Sequence, residues 1–359
     1  MTRVFNFSAG PCTLPLEVLE DAGREFVDYR GLGFSLMEIS HRSRHYEEVH
    51  FEALALAREL SGAPDDFDVM FIQGGASLQF AMVPLNLLPE GGMAGYVLTG
   101  VWARRAFEDA GFHGRVYAAW DGSTTGYTRA PSPGDISIKP GTRYLHITSN
   151  ETINGIRYPE WPRLDVPLVA DVSSEFFSRP VPWDRFDIVY GGVQKNLGPA
   201  GMALVFARRT AIEASPTNRA AYLQYETHAR SDSLFNTPPV FQIWMTGKVL
   251  AWMKERGGTA AIEKDCEEKA LILYAAIDGS DGFYRSPVEE VSRSLTNVVF
   301  RLPSEDLEAR FVAEAEQRGL LFLRGHRSVG GCRASLYAAM PLEGVEALAA
   351  FMDQFRSSR

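Results

Sequence analysis

The chain has 359 residues, 45% of them hydrophobic and 23% charged, an ordinary globular make-up that excludes a mainly disordered polypeptide. Its 36 Lys and Arg against 45 Asp and Glu leave a formal net charge of −9, which argues against a nucleic-acid partner, since such proteins show a basic face. No apolar run reaches the roughly 18 residues that span a bilayer, the start MTRVFNFSAG lacks a signal-peptide core, and Cys12, Cys266 and Cys332 are too scattered for a disulfide framework or a zinc site; the expectation is a cytoplasmic protein of about two domains, with no membrane partner and no metal.

Tyr46, Val49, Ala53, Leu56 and Leu60 step by three and four, which predicts a helix ending at Ser61-Gly62. From about residue 67 to 208, short β-rich runs alternate with glycine turns and helical patterns. Strands are expected at 67–72, 94–99, 114–120, 143–148, 167–172, 186–191 and 202–207. Several are continuous apolar runs, as in strands of a parallel sheet buried on both faces. Helices are expected from Ser77 to Leu88, after Gly75, and from Val101 to Ala110, after Gly100. Such alternation implies an α/β layer fold. Past Gly257-Gly258 the pattern changes. A long helix carries Ile262, Cys266, Leu273 and Ile277, followed by a strand at 296–302 and a helix capped by Ser304 and closed by Gly319. Strands at 320–324 and 332–337 come next, then a last helix opened by Pro341 with Val345, Leu348, Met352 and Phe355. This block reads as an α+β unit.

Several chemistries lack their motifs. No G-x-G-x-x-G follows a strand, and there is no G-x-x-x-x-G-K-[ST] and no G-x-S-x-G. His41 and His45 have the spacing of a zinc pair, but the intervening glutamate is missing, and solvated helix histidines are the better reading. What remains is GGVQKNLGPAG (191–201), which places Lys195 in a glycine-rich turn after an apolar strand. Glycines let a backbone approach a ligand closely, and ligands of open α/β sheets sit at the carboxyl ends of strands. A neighbouring run, PLVAD, ends on Asp171. The two residues fit a structural ion pair. They also fit pyridoxal phosphate chemistry, in which a lysine holds the aldehyde and shuttles a proton while a carboxylate keeps the pyridine nitrogen protonated. QGGAS (73–77), two glycines and a helix start, offers amides to a phosphate, and Trp102, at another strand end, is either core or a partner for a flat ring.

With those residues in view, the sequence resembles the phosphoserine aminotransferase family, within the fold type I pyridoxal phosphate enzymes. The matching segments are FNFSAGPC (5–12), MEISHRS (37–43), QGGAS, TSNETINGI (148–156), ADVSSEFFSRP (170–180), YGGVQKNLGPAG (190–201), FNTPP (235–239) and GHRSVGGCRASLYAAMPLEGV (325–345). The resemblance implies a large, mostly parallel α/β domain over residues 16–258 and a smaller α+β domain made of 1–15 plus 259–359. It implies pyridoxal phosphate as cofactor, Lys195 and Asp171 as catalytic residues, and Trp102 and Thr152 as contacts of the cofactor ring. Ala76, Ser77 and Gln194 fall in the phosphate cup, and Asn236 and Thr237 match a pair donated by the other subunit of a homodimer with shared active sites. Some family members carry an arginine in the cup; here Ala76-Ser77 takes that place.

His41, Arg42, His326, Arg327 and Arg333 match substrate-binding positions, Arg333 suited to the amino-acid carboxylate. His-Arg-Ser occurs at 41–43 and again at 326–328, and a guanidinium with an imidazole beside it suits a second anion, such as a phosphate. The resemblance therefore implies amino transfer from glutamate to 3-phosphohydroxypyruvate, giving phosphoserine and 2-oxoglutarate in serine biosynthesis, with a related phosphorylated oxo acid of pyridoxine biosynthesis as a further substrate of some members. Two alternatives stay open: another fold type I enzyme, such as a serine–glyoxylate aminotransferase or a cysteine desulfurase, and a non-catalytic protein that keeps the fold for binding.

Overall fold

The computed structural model describes residues 3–216 and 218–358. Among them, seven strands form one sheet: β1 (Phe67–Gln73), β2 (Met93–Leu98), β3 (Arg115–Asp121), β4 (Thr142–Thr148), β5 (Leu168–Asp171), β6 (Phe186–Gly192) and β7 (Met202–Arg208). Each lies on a run read from the sequence, with ends moved by a residue or so. Their spatial order is β1-β7-β6-β5-β4-β2-β3. Strands β2 to β6 pair in parallel. β7 runs antiparallel to both β6 and β1, so the sheet is parallel only in part, in keeping with the mostly parallel sheet expected. The cause is the length of the connection. Only residues 193–201 join β6 to β7, and a parallel neighbour needs a crossover of about a dozen residues or more. The result is a mixed, mostly parallel α/β sheet.

Helices cover both faces. On one side lies α2 (Arg44–Ser61), following α1 (Leu16–Glu25) in the chain. α2 starts on Ser43, whose Oγ accepts the Tyr46 amide at 3.3 Å, and stops at Gly62 in the left-handed region. On the other side, α3 (Gly75–Leu87) and α4 (Val101–Ala110) pack through Phe80, Val83 and Ala106 against Tyr96, Val169 and Val205 of the sheet. α3 begins two residues before Ser77, the start expected from the sequence. Gly74 caps it at φ 98°, and a Cβ there would meet Leu78 Cβ at 2.8 Å. α5 (Val240–Glu255) packs on α2 and carries buried residues on every side, Ile243, Trp244, Met245, Leu250 and Met253 among them. That uniform burial is why it has no readable stripe.

The C-terminal part has its own core. It contains α6 (Gly258–Asp278), β8 (Asn297–Phe300), α7 (Glu305–Gln317), β9 (Cys332–Ser335) and α8 (Leu342–Ser357). β8 and β9 pair antiparallel. Leu273, Phe311, Leu348 and Phe351, all 0–2% exposed, meet in one cluster, each contributing about 1.5–3 kcal/mol by burial. The expected strand at 320–324 shortens to Leu320–Leu321, which pairs in parallel with Phe5–Asn6, so the start of the chain joins this core and buries Phe7 in it. Among the described residues, no helix is long and apolar enough to cross a membrane.

Candidate active site

The carboxyl ends of β5 and β6 lie side by side, with Asp171 in register with Tyr190. β6 runs on through Gly191, where a Cβ would stand 2.5 Å from Phe176 Cδ1, and a 3₁₀ turn, Val193–Lys195, delivers the lysine. Lys195 is buried, and its Nζ donates to Thr152 Oγ1 at 2.5 Å. The Trp102 ring lies with its centroid 5.4 Å from that nitrogen. Asp171 is occupied separately: its Oδ1 accepts from the Ser173 amide at 2.9 Å and from Ser173 Oγ at 2.6 Å, while Ser173 Oγ accepts from the Gly192 amide at 2.9 Å. Lysine and aspartate are thus held by different partners, and an ion pair between them is not what organises the two strand ends. Burial pushes the Lys195 amine below the ordinary lysine range, and Arg333 pushes the same way against the pull of Asp171 and Glu151. An amine held less basic has more of the neutral, nucleophilic form at neutral pH.

A cavity of about 300 Å³ opens over this centre, and it brings together Ala76, Ser77, Trp102, Asp171, Gln194 and Lys195. One wall is the start of α3, where Gly74 caps with no side-chain hydrogen bond. First-turn amides left open in this way, with the helix dipole behind them, favour a phosphate. Gly10 packs on the lysine stem: a Cβ on it would sit 3.3 Å from Lys195 Cγ. Trp102 Nε1 is buried without a partner among the described residues. An amine, an anchored carboxylate, a flat aromatic face and an amide-lined helix start in one cavity fit the four parts of pyridoxal phosphate. A larger cavity, about 510 Å³, lies elsewhere, near Lys269. There the amine already faces the carbonyls of Tyr337, Ala338 and Met340.

Arg333 joins the site from β9, its Nη1 donating to the Thr152 carbonyl at 3.3 Å. His326 stands near it. Burial, Arg333, Arg327 and Arg105 all push its pKa down. Arg327 is exposed on the same loop. His41 and Arg42 occupy the turn before α2, and neither lines the cavity in the single chain. The Asn236 and Thr237 loop is likewise exposed and outside the cavity. Asn236 hydrogen-bonds the Tyr222 phenol, and the Thr237 carbonyl accepts from Gln73 Nε2 at 2.9 Å, next to the glycine turn.

Three residues at this centre escaped the sequence reading. Ser173 aims Asp171. Arg105, three residues after Trp102 on α4, holds its guanidinium 5.6 Å from the Trp102 ring centroid, and the i, i+3 spacing was the available signal. Glu151, next to Thr152, is 0% exposed, and nothing in a polar turn announces that. The thiols are unsuited to nucleophilic work: burial pushes Cys12 up to about 12 and raises Cys266 and Cys332 as well, which removes the support for a desulfurase.

The family model for aminotransferase class V matches residues 4–348, and phosphoserine aminotransferase of Geobacillus kaustophilus (strain HTA426) is 49% identical over 356 residues, 99% of either chain. The chain belongs to the phosphoserine aminotransferase family. Among solved structures of this family, that from Bacillus circulans subsp. alkalophilus superposes with a TM-score of 0.97 at 48% identity, covering 99% of both chains. The Trichomonas vaginalis enzyme, described with PLP bound, gives a TM-score of 0.93 at 35% identity, covering 98% of this chain and 100% of that one. Fold alone is shared more widely: an aspartate aminotransferase from Thermus thermophilus reaches 0.79 at 20% identity, covering 98% of both chains.

Proposed function

We propose that this protein is a pyridoxal-phosphate-dependent phosphoserine aminotransferase, moving the amino group of glutamate to 3-phosphohydroxypyruvate to give phosphoserine and 2-oxoglutarate. The observation that carries this reading is the buried Lys195 amine, bonded to Thr152, beside Trp102 and sharing a cavity with the start of α3, whose amides meet no side-chain cap. When bound, pyridoxal phosphate supplies the aldehyde that an amine can condense with and the electron-poor ring that stabilises a carbanion at Cα. Lys195 would anchor it and, once released, its amine would take up and return the proton of the substrate Cα. Asp171, aimed by Ser173, keeps a proton on the ring nitrogen. Trp102 supplies a face for the ring, Thr152 a hydroxyl beside it, and Ala76, Ser77 and Gln194 the phosphate cup.

Substrate recognition follows the charges. Arg333 takes the α-carboxylate, and His41, Arg42, His326 and Arg327 take the second anion, phosphate or the side-chain carboxylate of glutamate. Asn236 and Thr237 lie outside their own chain's cavity, which supports a homodimer in which each subunit completes its partner's phosphate cup. Residues 16–258 then form the cofactor-binding domain, and 1–15 with 259–359 the smaller one that brings Arg333 to the substrate, in a cytoplasmic enzyme. Borohydride reduction of the loaded protein followed by peptide mapping tests the central assignment. The pyridoxyl label belongs on Lys195, and label on any other lysine refutes it.

A further inference from the structure

Glu151 has no part in the chemistry described so far, yet it lies at the centre of the site. It is fully buried, and its carboxylate accepts two backbone amides at the start of α4, Trp102 N to Oε2 at 3.2 Å and Ala103 N to Oε1 at 2.9 Å. Room for it is made by Gly100, where a Cβ would stand 2.6 Å from Glu151 Cδ. The groups that face it are few. Asp171 repels its charge, Lys195 attracts it, and the buried Tyr158 phenol feels it. Asn154 Oδ1, with no hydrogen-bond partner, crowds the same glycine. Thr152, the next residue, takes the Lys195 amine on its hydroxyl and Arg333 on its carbonyl. Two adjacent residues of one turn therefore hold the lysine, the arginine and the helix that carries Trp102.

We propose that Glu151 is a positioning residue: by tying down the amides of Trp102 and Ala103 it fixes the first turn of α4 and so holds the Trp102 ring against the Lys195 amine. The alternative is a carboxylate that merely stabilises a helix end, a common and favourable placement. Three features set this one apart. It is wholly out of water, where an anion is costly unless well bonded. Its bonds go to the very residue whose ring adjoins the lysine. And Trp102 itself is only half-buried, with an indole nitrogen that no group among the described residues holds, so the fixing of the ring falls to its backbone.

The inference rests on the pyridoxal phosphate reading, and its test has one arm that does not. Glu151→Gln keeps the shape of the side chain but removes the charge and turns one acceptor into a donor facing an amide. In the cofactor-free protein, exchange of the amides at the start of α4 should accelerate about tenfold or more, the scale of a lost charge-assisted hydrogen bond, while the amides of β4 keep their parental rates. In the loaded protein, the Kd for pyridoxal phosphate, read from its visible absorbance, should rise by a similar factor. In a Trp102→Ala background the same substitution should change that Kd less than about twofold, because a residue that acts through another loses its effect when the other is gone. Gly100→Ala, which crowds the carboxylate from the other side, should reproduce the Glu151→Gln pattern and serves if that variant folds poorly. An equal rise in Kd with and without Trp102, or unchanged exchange at α4, overturns the proposal. A parent protein that binds no pyridoxal phosphate refutes the functional reading instead, and the exchange experiment still decides the role of Glu151.

Discussion

Replacing Glu151 with glutamine should change how the stability of the cofactor-free protein responds to pH. Burial lifts the Glu151 carboxyl from its ordinary value of 4.5 to about 7; Asp171 adds to the rise, and the two α4 amides and Lys195 oppose it. The folded state therefore keeps a proton that the unfolded chain releases across that window. The stabilisation from the bound proton is complete below about pH 4.5, is lost progressively as pH rises toward 7, and is gone above it. At about 1.4 kcal/mol per pH unit, the loss comes to roughly 3 kcal/mol. Urea unfolding of parent and variant at steps between pH 5 and 8 isolates this group, because every other titration is common to both. The variant also loses one of the two amide bonds, but that penalty shifts its curve uniformly. Only the changing gap between the two curves reports the carboxyl. With rising pH the parent should lose ground to the variant until about pH 7 and hold level beyond. A gap that stays constant across the range would show that Glu151 ionises as freely in the fold as in water.

Asp171→Asn should still fold and bind cofactor, since an amide can accept the Ser173 hydrogen bonds, but single-turnover deamination of glutamate should fall well below the parental rate because no group then holds the ring-nitrogen proton; a parental rate would make Asp171 structural. Arg327→Leu should weaken kcat/KM for phosphoserine by about 1.5–3 kcal/mol, the range for a charge-assisted hydrogen bond, and for glutamate by less; equal losses would mean that the loop shapes the site without reading phosphate. Heterodimers of a Lys195→Ala chain with an Asn236→Ala/Thr237→Ala chain carry both lesions in one site and neither in the other. Under limiting cofactor, differently tagged and co-purified, they should recover up to half of parental activity, and dimers as inactive as their parents would show that the loop serves its own subunit.

The sheet was legible because its strands announce themselves. Runs such as Met202–Ala207 are apolar throughout, and this one starts right after Gly201, so both location and burial follow from composition. Direction was less obvious, although the short link from Gly192 to Met202 contained it: too few residues lie there for a crossover. Helix α5 escaped for the opposite reason, since a helix buried on all sides has no polar face to mark its period. At the site, Lys195 and Asp171 stand out as charges at the ends of apolar runs. Glu151 does not. Its segment, TSNETINGI, looks like a solvated turn, and it is dry only because α4, fifty residues earlier in the chain, ends its approach there. Arg105 lies between these cases: its spacing from Trp102 was readable, but which face of α4 looks on the cavity was not.

The first residues of the chain tie its two cores together. Phe5–Asn6 extends the short pairing with Leu320–Leu321, Phe7 is sunk among the C-terminal helices, the Ala9 carbonyl accepts from the Tyr337 phenol at 2.8 Å, and the Cys12 amide donates to the Gln194 carbonyl at 3.1 Å. Between these fastenings Gly10 rests on the Lys195 stem. A pull on this ribbon at Phe5 has only about five residues to run before it reaches the glycine that packs on the lysine. Residues 5–12 are therefore a poor place for fusions, tethers or trimming, because a change in this stretch reaches the Lys195 side chain from outside the cavity.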